Sequence, residues 1–353
     1  MTKTSDLAGG DQLVERLFGA TLGALELFSV YLGWRLDLYS ALAGGVALTS
    51  EELAEQRGID RRYAQEWLEQ QAAAGFVTVE GDDPWRFAVR KDHVDVLCDP
   101  ESLSYVAPFA PMLAGIAGVL PELVDAYRTG AGVPYPRYGA DFRDGQGAIN
   151  RPTYHHQMTD WVGALPDVAE RLRGQGGRIV DLGCGQGWST IALARAFPDA
   201  EVVGVDDDAA SIADAGRNVA AAQVTVRLQG SDAAAIGESA DLVCIFEALH
   251  DMARPVEVLA AARRMLSPGG AVLLVDERVG DAFHAPADEV ERMMYGWSVL
   301  HCLPASRVEP GSAALGTVLR RPVVEDLATE AGFARCTVLA VDHDFFRFYR
   351  LDP

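Results

Sequence analysis

Along this chain the apolar positions change their spacing more than once, and each change marks an element. From about Leu13 to Asp99 the spacing is helical and then turns to short alternating runs. Residues 17–42 are rich in Leu, Ala and aromatics on every side, too apolar for a solvated helix, which predicts burial against partners. In the following stretch Ser50 is expected to cap a helix over 51–57 that Gly58 ends. Asp60 caps a second helix through Ala74, ended by Gly75. Runs at 76–79 and 85–89, joined by Gly81-Asp82-Asp83-Pro84, read as a hairpin. Helix, turn, helix and hairpin make a winged helix.

Residues 102–174 read as mostly helical, with a loop expected over 130–147, where Gly and Pro break the pattern, and a boundary at 175–177. Beyond it, β-branched runs at 178–182, 201–205, 225–228, 242–246 and 271–275 alternate with amphipathic helices. That alternation predicts parallel strands with right-handed crossovers. Two further runs, 336–341 and 345–349, are close enough to form an antiparallel pair. The expected fold is α/β, a seven-stranded doubly wound, Rossmann-like sheet behind a mainly α winged-helix domain. The expected division is 1–100, a helical linker and site cover over 101–174, and 175–353.

Composition narrows the function classes. The 353 residues include 51 Asp and Glu against 30 Lys and Arg, a formal net charge of −21. Such a surface repels phosphate backbones and anionic membranes, so neither is an expected partner. The five cysteines are scattered with no CxxC pair, which indicates neither a disulfide framework nor a zinc site. The opening segment MTKTSDLAGGDQLVE lacks the charged-then-apolar pattern of a signal peptide. No run of about eighteen unbroken apolar residues is present, so no span is expected and the chain is expected in the cytoplasm.

The strongest motif is Val180-Asp181-Leu182-Gly183-Cys184-Gly185-Gln186-Gly187, at the first strand-to-helix turn. Glycines there let backbone pass close to a ligand at the carboxyl edge of a sheet. A dinucleotide fingerprint would be GxGxxG. This loop is GxGxG preceded by an acidic residue. In that it resembles the class I methyltransferases that use S-adenosylmethionine (SAM). Asp206, in Gly204-Val205-Asp206-Asp207 at the end of the second strand, matches the family's acceptor for the ribose hydroxyls, with Asp207 beside it. Gly230-Ser231-Asp232-Ala233 resembles the adenine-edge segment, where Asp232 would accept from the exocyclic amine and Ala233 adjoins it. Leu266-Ser267-Pro268-Gly269-Gly270 resembles the family's turn before the fifth strand. The resemblance runs from Gly177 to the C-terminus. It implies that Asp181, Gly183, Gly185, Gly187, Asp206, Asp207, Asp232, Ala233 and Glu247 hold SAM, with Glu247 at the methionine amino group.

The fourth strand ends in Phe246-Glu247-Ala248-Leu249-His250-Asp251. Methyl transfer needs an acceptor lone pair in line with the S–CH3 bond, and a base if the acceptor carries a proton. His250, expected neutral near pH 7, is the base candidate, with Asp251 next to it. The pair resembles plant-type O-methyltransferases, in which the winged-helix module makes a homodimer. A structural His and a turn-capping Asp are equally compatible with the sequence. Helical spacing puts Met294, Ser298 and His301 on one face, with Trp297 nearby, and Met158 lies on a helix upstream of the glycine loop; these are the candidate acceptor contacts, although a methionine stripe also packs cores. His301 further resembles a ligand of iron-dependent methyltransferases acting on keto acids, which makes His250, Asp251 and His301 a candidate metal triad. A small, aromatic methyl acceptor is the expected partner, and O-methylation the expected reaction. Metal-assisted C-methylation, a winged-helix regulator and a SAM-binding protein without methyl transfer are the alternatives. For the regulator, the helix from Asp60 carries Arg61 and Arg62 but no basic stripe.

Overall fold

The structure, a computed structural model, describes residues 10–353. Residues 1–9, part of the segment read for a targeting signal, lie outside the described residues. The chain divides into two compact units. One runs up to Gly115 and includes Asp144–Pro152; the other comprises Ile116–Arg143 and Thr153–Pro353. The stretch 101–174 is thus shared between them.

In the first unit, helix Ser50–Arg57 begins one residue earlier than the sequence pattern suggested. Thr49 is the cap: its hydroxyl accepts from the Glu52 amide, while the Glu52 carboxylate accepts from the Thr49 amide. Glu52 in the third helical position therefore decides the start, not the nearer Ser50. Asp60 caps helix Arg61–Ala73 as expected. Strands β1 (Val77–Glu80) and β2 (Arg86–Val89) pair antiparallel to form the wing. Leu38, Tyr39, Leu53, Trp67, Leu68 and Phe87 fill the core of this unit. In helix Gly10–Arg35, Leu13, Val14, Leu17, Phe18, Leu22 and Leu25 all face solvent in the single chain. Among the described residues, two helices, Gly10–Arg35 and Phe109–Thr129, are long and apolar enough by composition to cross a membrane, although neither is an unbroken apolar run; 44% of the second one's apolar window is buried, against 11% of the first's.

The second unit is built on a seven-stranded sheet. Its strands are β3 (Arg178–Leu182), β4 (Glu201–Asp206), β5 (Arg227–Gly230), β6 (Ala240–Phe246), β7 (Leu266–Glu277), β8 (Arg335–Val338) and β9 (Phe346–Asp352). They lie in the order β5-β4-β3-β6-β7-β9-β8. The first five are parallel, and β9 is antiparallel to both β7 and β8. Alternate residues feed two cores. Val180, Leu182, Val203, Val205, Val243 and Ile245 pack one face with helices Pro255–Met265 and Arg321–Glu330. Ile179, Val202, Leu242, Cys244 and Phe246 pack the other with Tyr154, Met158 and Trp161 from helix Gly139–Gly163. Strands buried on both faces are what near-continuous Val, Ile and Leu runs produce. The turn expected at Leu266-Ser267-Pro268-Gly269-Gly270 is an irregular start to β7, with a register shift opposite Ala240 and Leu242 and Gly269 at φ +81°.

The loop expected over 130–147 is shorter than it looked. Only its first part is irregular; Tyr135–Tyr138 forms a 3-10 turn, and Gly139–Gly163 is one helix despite its glycines. Gly145 is needed there, because a Cβ would sit 2.8 Å from both the Met112 side chain and the Pro108 carbonyl oxygen. A glycine with the local signature of a helix breaker is here demanded by close packing.

Candidate active site at the carboxyl edge of the sheet

The chain reverses its direction of travel across the sheet between β3 and β6, and the crevice outside strand ends at such a point is where open α/β folds bind ligands. The glycine loop leaves β3 there. Gly183 and Cys184 both donate to the Val205 carbonyl, at 2.8 and 3.0 Å, which ties the loop to β4. Gly183, Gly185 and Gly187 all have positive φ, at 75°, 51° and 80°. Gly183 also has no room for a side chain, since a Cβ would lie 2.7 Å from that of Ala248. Gly185 differs: nothing lies within 4 Å of its missing Cβ, so its backbone borders open space.

Carboxylates line this edge. Asp181 accepts from the hydroxyls of Ser189 and Thr190, both at 2.6 Å, through one oxygen, which locks β3 to the helix Trp188–Ala196. Its other oxygen is buried without a hydrogen-bond partner, and burial pushes its pKa up to about 6. Asp206 accepts from the Gly185 amide at 2.8 Å and the Asp208 amide at 2.9 Å, and burial raises it to about 6 as well. Asp207 beside it is exposed. Asp232 accepts from the Ala234 amide and pairs with Arg254 at 2.6 Å, on a 3-10 turn that begins at Ala233. Glu247 follows β6 with φ +50°, its amide bonded to the Val275 carbonyl and its carboxylate accepting from Tyr154 at 3.0 Å. A non-glycine residue held in the left-handed region is the kind of strain that persists at functional sites.

A cofactor of the SAM type fits these residues. Gly185 leaves room beside its backbone, the buried Asp181 oxygen lacks a donor, and Asp206 presents a carboxylate at the next strand end. Sulfonium and ammonium groups are cationic, and this edge is acidic.

His250 is buried on a 3-10 turn, Leu249–Asp251. Its Nδ1 lies 2.8 Å from Asp276 Oδ1 and 3.4 Å from Glu277 Oε2, both at the end of β7, and its Nε2 lies 3.6 Å from Asp251 Oδ1. The expectation of an ordinary, neutral imidazole fails for this reason. Burial works to lower the ring's pKa, but the carboxylates of Asp276, Glu277 and Asp251 outweigh it and raise it well above the usual value. Burial drives Glu277 well above the carboxylate range. It works to raise Asp276 too, but His250 and the hydrogen bonds to Asp276 hold that group below the range.

The helix Glu289–Trp297 runs on into a π-helical turn, Ser298–Cys302. Met294, Ser298 and His301 are all buried, Trp297 half-buried. His301 stacks on Phe142 at 4.1 Å and meets Tyr138 and Tyr135 edge-on at 4.6 and 5.7 Å. Its Nε2 is buried with no hydrogen-bond partner, and burial lowers its pKa to about 4. Met158 sits in the core with Trp161 and Phe246. Ligand atoms within 4.8 Å of one another group His250 with Asp251 and Cys302, and His250 with Asp276 and Glu277. Neither group contains His301, so the three expected metal ligands do not close into one cluster.

Asp276, Glu277, Tyr135, Tyr138, Phe142 and Cys302 contribute to the site without a reading from the sequence. Asp276 and Glu277 were signalled by two acids ending an apolar strand. Tyr135 and Tyr138 lay in the stretch taken for a loop, and no sequence pattern places them against His301.

Comparison with known proteins agrees with this geometry. A methyltransferase-domain family profile matches residues 174–315, and an Rv2258c-like winged HTH domain profile matches residues 23–98. A ubiquinone biosynthesis O-methyltransferase of Cereibacter sphaeroides is 35% identical over 107 residues, 30% of this chain and 42% of its own length. A trans-aconitate 2-methyltransferase of Deinococcus radiodurans is 34% identical over 157 residues, 42% of this chain and 58% of its own. The chain thus spans about half the length of these curated relatives. Among solved structures, a mitomycin 7-O-methyltransferase superposes with a TM-score of 0.68 at 17% identity, covering 97% of this chain and 98% of that one. Human N-acetylserotonin methyltransferase in complex with SAM superposes at 0.72 with 15% identity, covering 100% and 99%. Residues 174–315 thus match a methyltransferase domain and residues 23–98 a winged HTH domain, and the fold is that of the methyltransferase structures on which the chain superposes.

Proposed function

We propose that this protein transfers a methyl group from SAM to a hydroxyl oxygen of a small aromatic metabolite, with His250 as general base. The observation that carries this reading is the pair of His250, three residues beyond Glu247 past the end of β6, with Asp276 near the end of β7, on the sheet edge that carries the glycine loop. SAM, when bound, supplies an electrophilic methyl on a sulfonium. His250 Nε2 takes the acceptor's proton as its oxygen bonds to the methyl carbon, and the S–C electron pair returns to sulfur. Asp276 holds Nδ1 as the donor and stabilises the imidazolium that forms. A raised pKa suits a base that must deprotonate a phenol, whose own pKa is about 10. Tyr135, Tyr138, Phe142 and His301 give a flat ring an aromatic surface. The test is incubation with methyl-labelled SAM and a panel of phenolic metabolites. Label transfer is expected for at least one phenol; transfer only to carbon of keto acids would contradict the O-methyl reading.

A second reading rests on one observation: Asp251 Oδ1 and His301 Nε2 are buried without partners near His250. Buried orphans of this kind are met by a water or an ion. His250, Asp251 and Cys302 would hold a divalent transition metal, which would supply Lewis-acid polarisation of an acceptor oxygen. Metal analysis of protein purified without chelators decides between the two: near-stoichiometric metal, with activity lost on chelation, would displace the base mechanism.

The same reading includes a homodimer formed through the winged-helix unit, because helix Gly10–Arg35 exposes an apolar face. It includes no nucleic-acid role: Arg61 faces Glu51 at 3.7 Å and Arg62 pairs with Glu66, so the two arginines of the second helix are already neutralised.

A further inference from the structure

Tyr154 has no place in the chemistry above, yet it is buried at the centre of the acidic edge. It lies on helix Gly139–Gly163, its ring 5.7 Å from that of Phe246 and 5.9 Å from that of Trp161. Those two aromatics fix the ring, and its hydroxyl donates to Glu247 Oε1 at 3.0 Å. Glu247 is itself held at φ +50° by the bond from its amide to Val275. Both the backbone and one carboxylate oxygen of Glu247 are therefore set by neighbours. On the adjacent strand, paired with β6 through Asp181 and Cys244, Asp181 keeps one buried oxygen without a donor. The Tyr154 hydroxyl lies within electrostatic reach of Glu247, Asp181 and Glu277. A neutral donor can orient the half-buried Glu247 carboxylate, but it cannot balance its charge or that of the buried Asp181. A small cation can. An ammonium offers three donors and suits two carboxylates approaching from adjacent strand ends.

We infer that Tyr154 is a positioning residue, holding the Glu247 carboxylate toward the α-ammonium of the methionine tail of SAM. This rests on the SAM reading above and adds to it a residue that would not touch the cofactor. The ligand class it recognises is an aliphatic α-ammonium, not the adenosine. That distinction supplies the test. Calorimetry on the full chain compares SAM with 5′-methylthioadenosine, which keeps the adenosine and sulfur but lacks the amino-acid tail. Tyr154→Phe should weaken SAM about tenfold and leave methylthioadenosine unchanged. Glu247→Gln should do the same, and the double variant should bind SAM no more weakly than Glu247→Gln alone. Equal weakening of both ligands by Tyr154→Phe would mark a structural role and overturn the proposal. So would unchanged SAM affinity. If Tyr154→Phe does not fold, a Glu247→Gln variant that loses no discrimination for the tail overturns it equally. A wild-type chain that bound neither ligand would overturn the cofactor reading itself, and this inference with it.

Discussion

His250 and Asp276 lie 26 positions apart in the chain, yet Nδ1 of the first sits 2.8 Å from Oδ1 of the second, both buried. Parallel pairing of β6 with β7 brings them together, because Phe246 pairs with Val275, and His250, on the turn past the end of β6, then shares one edge with Asp276 near the end of β7. The pairing fixes which ring nitrogen faces the carboxylate and leaves Nε2 for other work.

Asp276→Asn tests that pairing. The wild-type base limb of kcat against pH should lie above the ordinary histidine value, since carboxylates favour the imidazolium and activity requires the neutral ring. Losing the Asp276 charge should move the limb to lower pH, while the plateau falls by about 10²–10⁴ because the ring loses its orienting acceptor. A limb that stays in place would mean that His250 is not the titrating base.

Cofactor affinity should itself depend on pH. Asp181 and Asp206 both have pKa values of about 6 set by burial. Each takes up a proton as the pH falls, and a neutral carboxyl is a poorer partner for a cationic ligand. SAM binding should therefore weaken between pH 7 and pH 5, by up to about tenfold per pH unit for each group that must ionise. Titration calorimetry at several pH values measures it, and a flat profile would remove both residues from the site.

Much of the second unit was legible because its strands are buried on both faces, and a buried parallel strand must be a β-branched run between helices. That Asp181, Gly183 and Asp206 lie together at one sheet edge was legible for a related reason: strand ends in an alternating α/β pattern share an edge, and a tight strand-to-helix turn with positive φ needs glycine. What stayed hidden depends on tertiary proximity. Nothing local tells that Asp276 faces His250, that Tyr154 reaches Glu247, or that Gly145 sits inside a helix to clear Met112. His250 itself was found, but its protonation was not, because that depends on three carboxylates from two strand ends.

The exposed helix Gly10–Arg35 makes a separate prediction. Phe18→Glu, at a position 72% exposed in the single chain, should cost a monomer almost nothing but should disrupt an apolar dimer interface. Light scattering at micromolar concentration should show a dimer for the wild type and a smaller species for the variant. A wild type that is already monomeric would refute the dimer.

The central claim is that this sheet edge binds SAM, and calorimetric titration of SAM into the full-length protein tests it most directly, with Asp206→Ala alongside. The expected result is one SAM per chain, with Asp206→Ala weaker by about 1–3 kcal/mol for the loss of a charged acceptor to the ribose hydroxyls. No binding to folded wild-type protein, or affinity unchanged in a folded Asp206→Ala variant, would contradict the account.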